Sequence, residues 1–133
     1  MKIRLLPAAI LLLAVAGCGA TPGSAAAGDA AEALLRAHQD GDGSAACALL
    51  APETAAEVAR SAGRPCPEAI TGEDLPAPAA VTGVTVDGQW AKVVVGADAG
   101  TLFLAMFPGG WRVAAAGCRP RGERPYDCTV HGG

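Results

Sequence analysis

Three short turns in the second half of this chain constrain its fold more than any other feature. They are Asp87-Gly88, Asp98-Ala99-Gly100 and Pro108-Gly109-Gly110, and they separate runs rich in valine, threonine and aromatic residues. Aspartate followed by glycine is a strong hairpin signal, because both central positions of the turn need positive φ. Turns this short join antiparallel neighbours, since a parallel pair needs a crossover of a dozen or more residues. The expected strands are Val81–Val86, Gln89–Ala97, Thr101–Phe107 and Trp111–Cys118. A polar loop from Arg119 to Pro125 then leads to a short last strand, Tyr126–Val130. Such a meander is stable only if something covers its apolar face.

The first half supplies the cover. Asp29 is placed to cap a helix, with Glu32 three residues on reaching back in a capping box. Ala30, Ala33, Leu34, Ala37 and His38 then fall near one helical face. Asp40-Gly41-Asp42-Gly43 breaks this helix, and Asp42 or Ser44 can cap a second one through Cys47, Leu49 and Leu50. Pro52 suits the first turn of a third helix, Glu53 to Ser61, with Gly63 just beyond its end. After the stiff Arg64-Pro65-Cys66-Pro67 turn, Pro67 opens one more helical turn to Ile70. The expected fold class is therefore α+β. N-terminal helices pack on a curved antiparallel sheet of four to five strands, as a single domain over residues 29–133.

The start of the chain reads as an address. Lys2 and Arg4 precede an apolar stretch of 12 residues, Leu5 to Ala16, against the roughly 20 that span a bilayer as a helix. A charged start and a short apolar core describe an export signal. The stretch ends Val15-Ala16-Gly17-Cys18, which resembles the lipobox of bacterial lipoproteins. That resemblance implies cleavage after residue 17, a diacylglycerol on the Cys18 sulfur, and a protein held on the extracytoplasmic face of the cell membrane. Gly19 to Gly28 is small and flexible in composition, and residues 18–28 are read as a tether. Abundant alanine and glycine, with arginine carrying most of the positive charge, resemble the usage of high-GC bacteria such as actinobacteria.

Cleavage would leave 116 residues with eight basic and thirteen acidic side chains, a formal charge of −5. An acidic surface argues against general nucleic-acid binding, which needs a basic footprint. With Cys18 assigned to lipid, Cys47, Cys66, Cys118 and Cys128 remain. Four cysteines in an exported domain suggest two disulfides. Of the three pairings, Cys47–Cys66 and Cys118–Cys128 are favoured, because each pair flanks one local stretch of chain. Zinc is the disfavoured rival: no C-x-x-C spacing occurs, and only two histidines are present. No cofactor is implied.

Element order, together with the "FPGGWRV" stretch that feeds a cysteine-bearing strand, is similar to that of the NTF2-like α+β superfamily over residues 29–131. A cystatin-like sheet on a helix is the neighbouring alternative. The NTF2-like resemblance implies a cone-shaped domain, in a superfamily with both enzymes and non-enzymatic binding domains, so fold alone does not choose between them.

Three clusters are candidates for chemistry. His38, Asp40 and Asp42 place an imidazole and two carboxylates close together, a set suited to a cation or to acid–base work. Measured against a calcium loop, though, the fifth, sixth and twelfth positions are Ser44, Ala45 and Ala51, which lack the glycine of the sixth and the glutamate of the twelfth. The preferred reading is a helix end, a turn and the next N-cap. The aromatics Trp90, Phe103, Phe107, Trp111 and Tyr126 all fall in strands. With His38, the set Trp90, Phe103, Trp111 and Tyr126 is the candidate pocket lining, against the plainer role of sheet packing. Arg112, Arg119, Arg121 and Arg124 form a basic stretch that would suit anionic headgroups or an acidic partner, against the preferred reading of a solvated loop. Asp98 belongs to a turn. Ser24, Ser44 and Ser61 lie in no nucleophile elbow, and no phosphate-binding loop is present.

The expected function is a lipid-anchored extracytoplasmic binding or protein-interaction module. Its partners are the membrane, through Cys18, and an extracytoplasmic protein or small ligand. The alternative is a small NTF2-like enzyme acting on an apolar ligand in a cone-shaped cavity, with His38 or an aspartate as acid or base.

Overall fold

The computed structural model describes residues 23–98 and 100–133. The expected signal segment 1–17, Cys18 and the first part of the tether lie outside the described residues. Four helices precede five strands: α1 Ser24–Gln39, α2 Gly43–Leu49, α3 Pro52–Ala62, α4 Cys66–Ile70, then β1 Val81–Asp87, β2 Trp90–Val95, β3 Gly100–Phe107, β4 Gly110–Arg121 and β5 Arg124–His131. The strands form one antiparallel sheet in the order β1-β2-β3-β4-β5. This is the α+β fold that the turns and the helical half require.

Strand alternation decides which side chains meet the helices. Ala91, Val93 and Val95 of β2, Leu102 and Leu104 of β3, and Trp111 and Val113 of β4 are buried together on the inner face. Leu34 and Leu35 of α1, Leu50 after α2, Val58 of α3 and Ile70 of α4 fill the space above them. Burying a side chain of this size contributes roughly 1.5–3 kcal/mol each.

Helix α1 departs from its expected course in two ways. It begins at Ser24, so residues 24–28 are helical rather than tether, and Asp29 and Glu32 lie inside the helix instead of forming a capping box. Alanine has the highest helix propensity, and Ser24-Ala25-Ala26-Ala27 propagates the helix once Ala27 and Gly28 are buried against the sheet. The buried face also turns: Ala27, Ala31, Leu34 and Leu35 are inside, whereas Ala33 is exposed. An alanine-rich stretch carries little amphipathic signal, so the two leucines and close approach to β1 set the rotation.

The second departure is at β4 and β5. The expected polar loop from Arg119 to Pro125 is instead continuous hairpin, with only Gly122 and Glu123 between the strands. Cys118 and Cys128 are cross-strand partners in that ladder and are disulfide-bonded. Cys47 and Cys66 are bonded as well, tying α2 to α4 with a Cα–Cα distance of 6.1 Å. Both are the pairings favoured from spacing.

Strand β4 carries two extra residues relative to β3. Phe103 faces Ala115 but Leu104 faces Val113, and Thr101 faces Cys118. Such bulges bend a strand and increase its twist. One bulge includes Gly117 with φ +64°. At the other, the Ala114 carbonyl accepts a 2.8 Å hydrogen bond from Thr54 Oγ1, and Thr54 is almost wholly buried. Where β5 stops pairing, Leu50 bridges Val113 in parallel and the Ala51 N–H donates to the Val113 carbonyl at 2.8 Å. The link between α2 and α3 thus covers that part of the β4 edge.

Candidate functional site

The cluster His38, Asp40 and Asp42 is spent on local structure. Asp42 Oδ1 accepts the Ala45 N–H at 3.1 Å and is the N-cap of α2, and Asp40 is the C-cap of α1. His38 Nε2 lies 2.8 Å from the Glu73 carbonyl. A carbonyl only accepts, so this nitrogen carries the proton. His38 therefore fastens the end of α1 to the segment that leads out of α4. No group of three or more metal-ligating side chains gathers among the described residues.

The candidate pocket residues are dispersed. Trp111 is in the core beneath the start of α1. Phe103 is on the opposite face of the sheet, where Tyr126 meets it edge-on with ring centroids 5.0 Å apart. This contact follows from the bent β4–β5 hairpin, which carries Tyr126 back towards β3. Trp90 is 62% exposed at the β1–β2 turn. His38 is at the far end of α1 from Trp111. Phe107 is half-buried at the β3–β4 turn.

The basic stretch is divided too. The Arg112 guanidinium donates to the Ala48 carbonyl of α2. Arg119, Arg121 and Arg124 are exposed on the β4–β5 hairpin, with Asp127 opposite Arg119 and Glu123 in the turn. Arg121 Nε also donates to the Pro125 carbonyl at 3.1 Å. The arm is therefore less basic than its arginines alone suggest.

Two adjoining surface grooves run along α1 and β1. One, of about 280 Å³, is lined by Glu32, Arg36, Pro78, Ala79 and Ala80. The other, of about 320 Å³, runs past Ser24, Asp29 and Glu32 to Val81 and Val84. Glu32 is common to both, and its Oε1 accepts the Val81 N–H at 3.3 Å. Carboxylates, one guanidinium and small apolar side chains thus line a shallow trough beside the edge strand β1. Sequence reasoning missed it. Its residues are of ordinary types, 49 positions apart at the Glu32–Val81 contact, and only the packing of α1 on β1 brings them together.

One further polar group stands out. Trp111 Nε1 is buried and has no acceptor among the described residues. It faces Gly23, whose position lies against the indole: a Cβ there would sit 3.4 Å from Nε1. The chain therefore enters the domain directly over Trp111.

The fold and these surfaces define a small α+β domain with helices on one face of a five-stranded antiparallel meander. Comparison with protein-family models, curated proteins and solved structures finds no match.

Proposed function

We propose that this protein is a lipid-anchored extracytoplasmic binding or interaction module, tethered through Cys18. The observation that carries this reading is the cysteine count. Of five cysteines, four are consumed by the Cys47–Cys66 and Cys118–Cys128 bonds. Cys18 is left over, at the end of a basic and apolar leader, where a lipobox would use it. Disulfides also belong to an oxidising compartment, which agrees with export. The trough along α1 and β1 supplies a mixed polar and apolar surface next to the edge strand β1, whose Val81 N–H is held by Glu32, a setting that suits an extended peptide or a small ligand.

The test is mass spectrometry of the native protein with fractionation of a Cys18→Ser variant. The expected result is a diacylated N-terminal cysteine and release of the variant from the membrane fraction. An unmodified N-terminus upstream of Cys18, or a variant that stays with the membrane, overturns the reading.

A further inference from the structure

The two ends of the sheet differ in charge more than in exposed apolar surface, since Tyr126 on the β4–β5 arm is 37% exposed. The register brings Trp90 beside Ala105, Ala105 beside Arg112, and Met106 beside Trp111. The β1–β2 and β3–β4 turns therefore lie together at one end. That end carries Trp90, 62% exposed, and Met106, 39% exposed, with Pro108 exposed and Phe107 half-buried. Across residues 87–90 and 107–110 the charged side chain is Asp87, and the Arg112 guanidinium lies beside Gly109. Arg119, Arg121 and Arg124 are at the opposite end, on the arm beyond the Thr101–Cys118 pair.

Gly23 lies against Trp111, so the chain enters at the aromatic end. Five residues lead from Cys18 to Gly23, a span of at most about 17 Å when fully extended. Ten residues of β4 separate Trp111 from Arg121, and the bend at its bulges carries the arm over the outer face, where Tyr126 meets Phe103. A lipid on Cys18 thus holds the aromatic end close to its surface and leaves the arginine arm outward.

We propose that the end of the sheet formed by the β1–β2 and β3–β4 turns docks on the lipid bilayer interface, with Trp90 and Met106 as its contacts. This rests on the anchor at Cys18. The occupant is a bilayer because the short connection delivers this end to one. The chemistry fits, since tryptophan favours the headgroup level, where an apolar ring and a polar N–H are both accommodated. The charge at this end, Asp87 and the Arg112 guanidinium beside Gly109, is placed to stay at the headgroup level while Trp90 and Met106 enter. The domain then stands upright, with the arginine arm turned away from the membrane.

The experiment uses the full lipidated protein in phosphatidylcholine vesicles. A Trp111→Phe variant leaves Trp90 as the sole tryptophan. A second variant, Trp90→Phe with Trp111→Phe and Tyr126→Trp, places the reporter on the arm. The expected result is a blue shift of Trp90 emission on reconstitution and its progressive loss as brominated acyl chains are introduced, with the arm reporter unchanged. Equal quenching at both positions, or quenching of the arm alone, in protein that stays with the vesicles overturns the docking and leaves the anchor intact. Failure to stay with the vesicles removes both. A Trp90 shift that depends on protein concentration in detergent, and not on lipid, assigns this end to a second copy and also overturns the proposal. Hydrogen exchange on the unsubstituted chain gives an independent measurement if a variant does not fold. Slower exchange at residues 87–90 and 106–111 on vesicles than in the Cys18→Ser form, with none at 119–127, supports the docking. The reverse pattern refutes it.

Discussion

Gly43 is the residue with least room to change. A Cβ there would lie 1.8 Å from the Pro67 carbonyl oxygen and 2.9 Å from its Cα. The obstacle is backbone, so no side-chain rotation relieves it, and the Cys47–Cys66 bond holds α2 and α4 at this spacing. Gly43→Ala is expected to destabilise by about 2 kcal/mol or more, in the range of core overpacking, read as a lower urea midpoint. Thr54 is a different kind of dependence. Its hydroxyl serves a carbonyl that the β4 bulge has released from the ladder. Thr54→Val keeps the shape but leaves Ala114 without that donor, at an expected cost of about 1–3 kcal/mol. The same urea titration measures it, with the slope unchanged.

Among elements, β1 to β3 and the start of β4 were legible because turns of local chemistry bound them. Asp87-Gly88 and Pro108-Gly109-Gly110 bound β1 to β4 in the structure as they do on paper. The disulfides were legible because each spans a short stretch, 19 and 10 residues. The misjudged elements depend on contacts that no local window holds. The start of α1 needs Gly28 packed on Val81 and Val84. The extension of β4 and β5 needs the Cys118–Cys128 bond to keep a polar, proline-bearing hairpin in register. The candidate pocket failed to assemble for a related reason: alternation along β3 puts Phe103 and the buried leucines on opposite faces. In the chain-entropy account each disulfide stabilises by about 3 kcal/mol. Alanine at both cysteines of either pair should lower stability by about that amount in chemical unfolding. Breaking Cys118–Cys128 should, in addition, raise hydrogen exchange at residues 119–127 alone.

For the whole molecule, polarity along the sheet matters more than any single cluster. Exposed Trp90 and Met106 lie at the end where the chain enters, on opposite faces of the sheet, and the three arginines of the hairpin arm lie beyond the Thr101–Cys118 pair. Composition reported both groups but not their separation, which depends on strand register and on Gly23 meeting Trp111. Read along the chain, Arg112, Arg119, Arg121 and Arg124 form a solvated loop in the preferred reading, with contact to anionic headgroups or an acidic partner as the alternative. The fold divides them: Arg112 is beside Gly109 at the chain-entry end, and the other three are exposed on the hairpin arm.

The Cys118–Cys128 bond stands behind an exposed tip. Residues 119–127 are open to solvent, and Arg121-Gly122 is a peptide bond that follows a basic side chain. A cut there would separate the last 12 residues in sequence, yet the staple behind it lies on both sides of the break. The final strand would stay in place, and a nicked molecule would keep its whole sheet for as long as its surroundings remained oxidising.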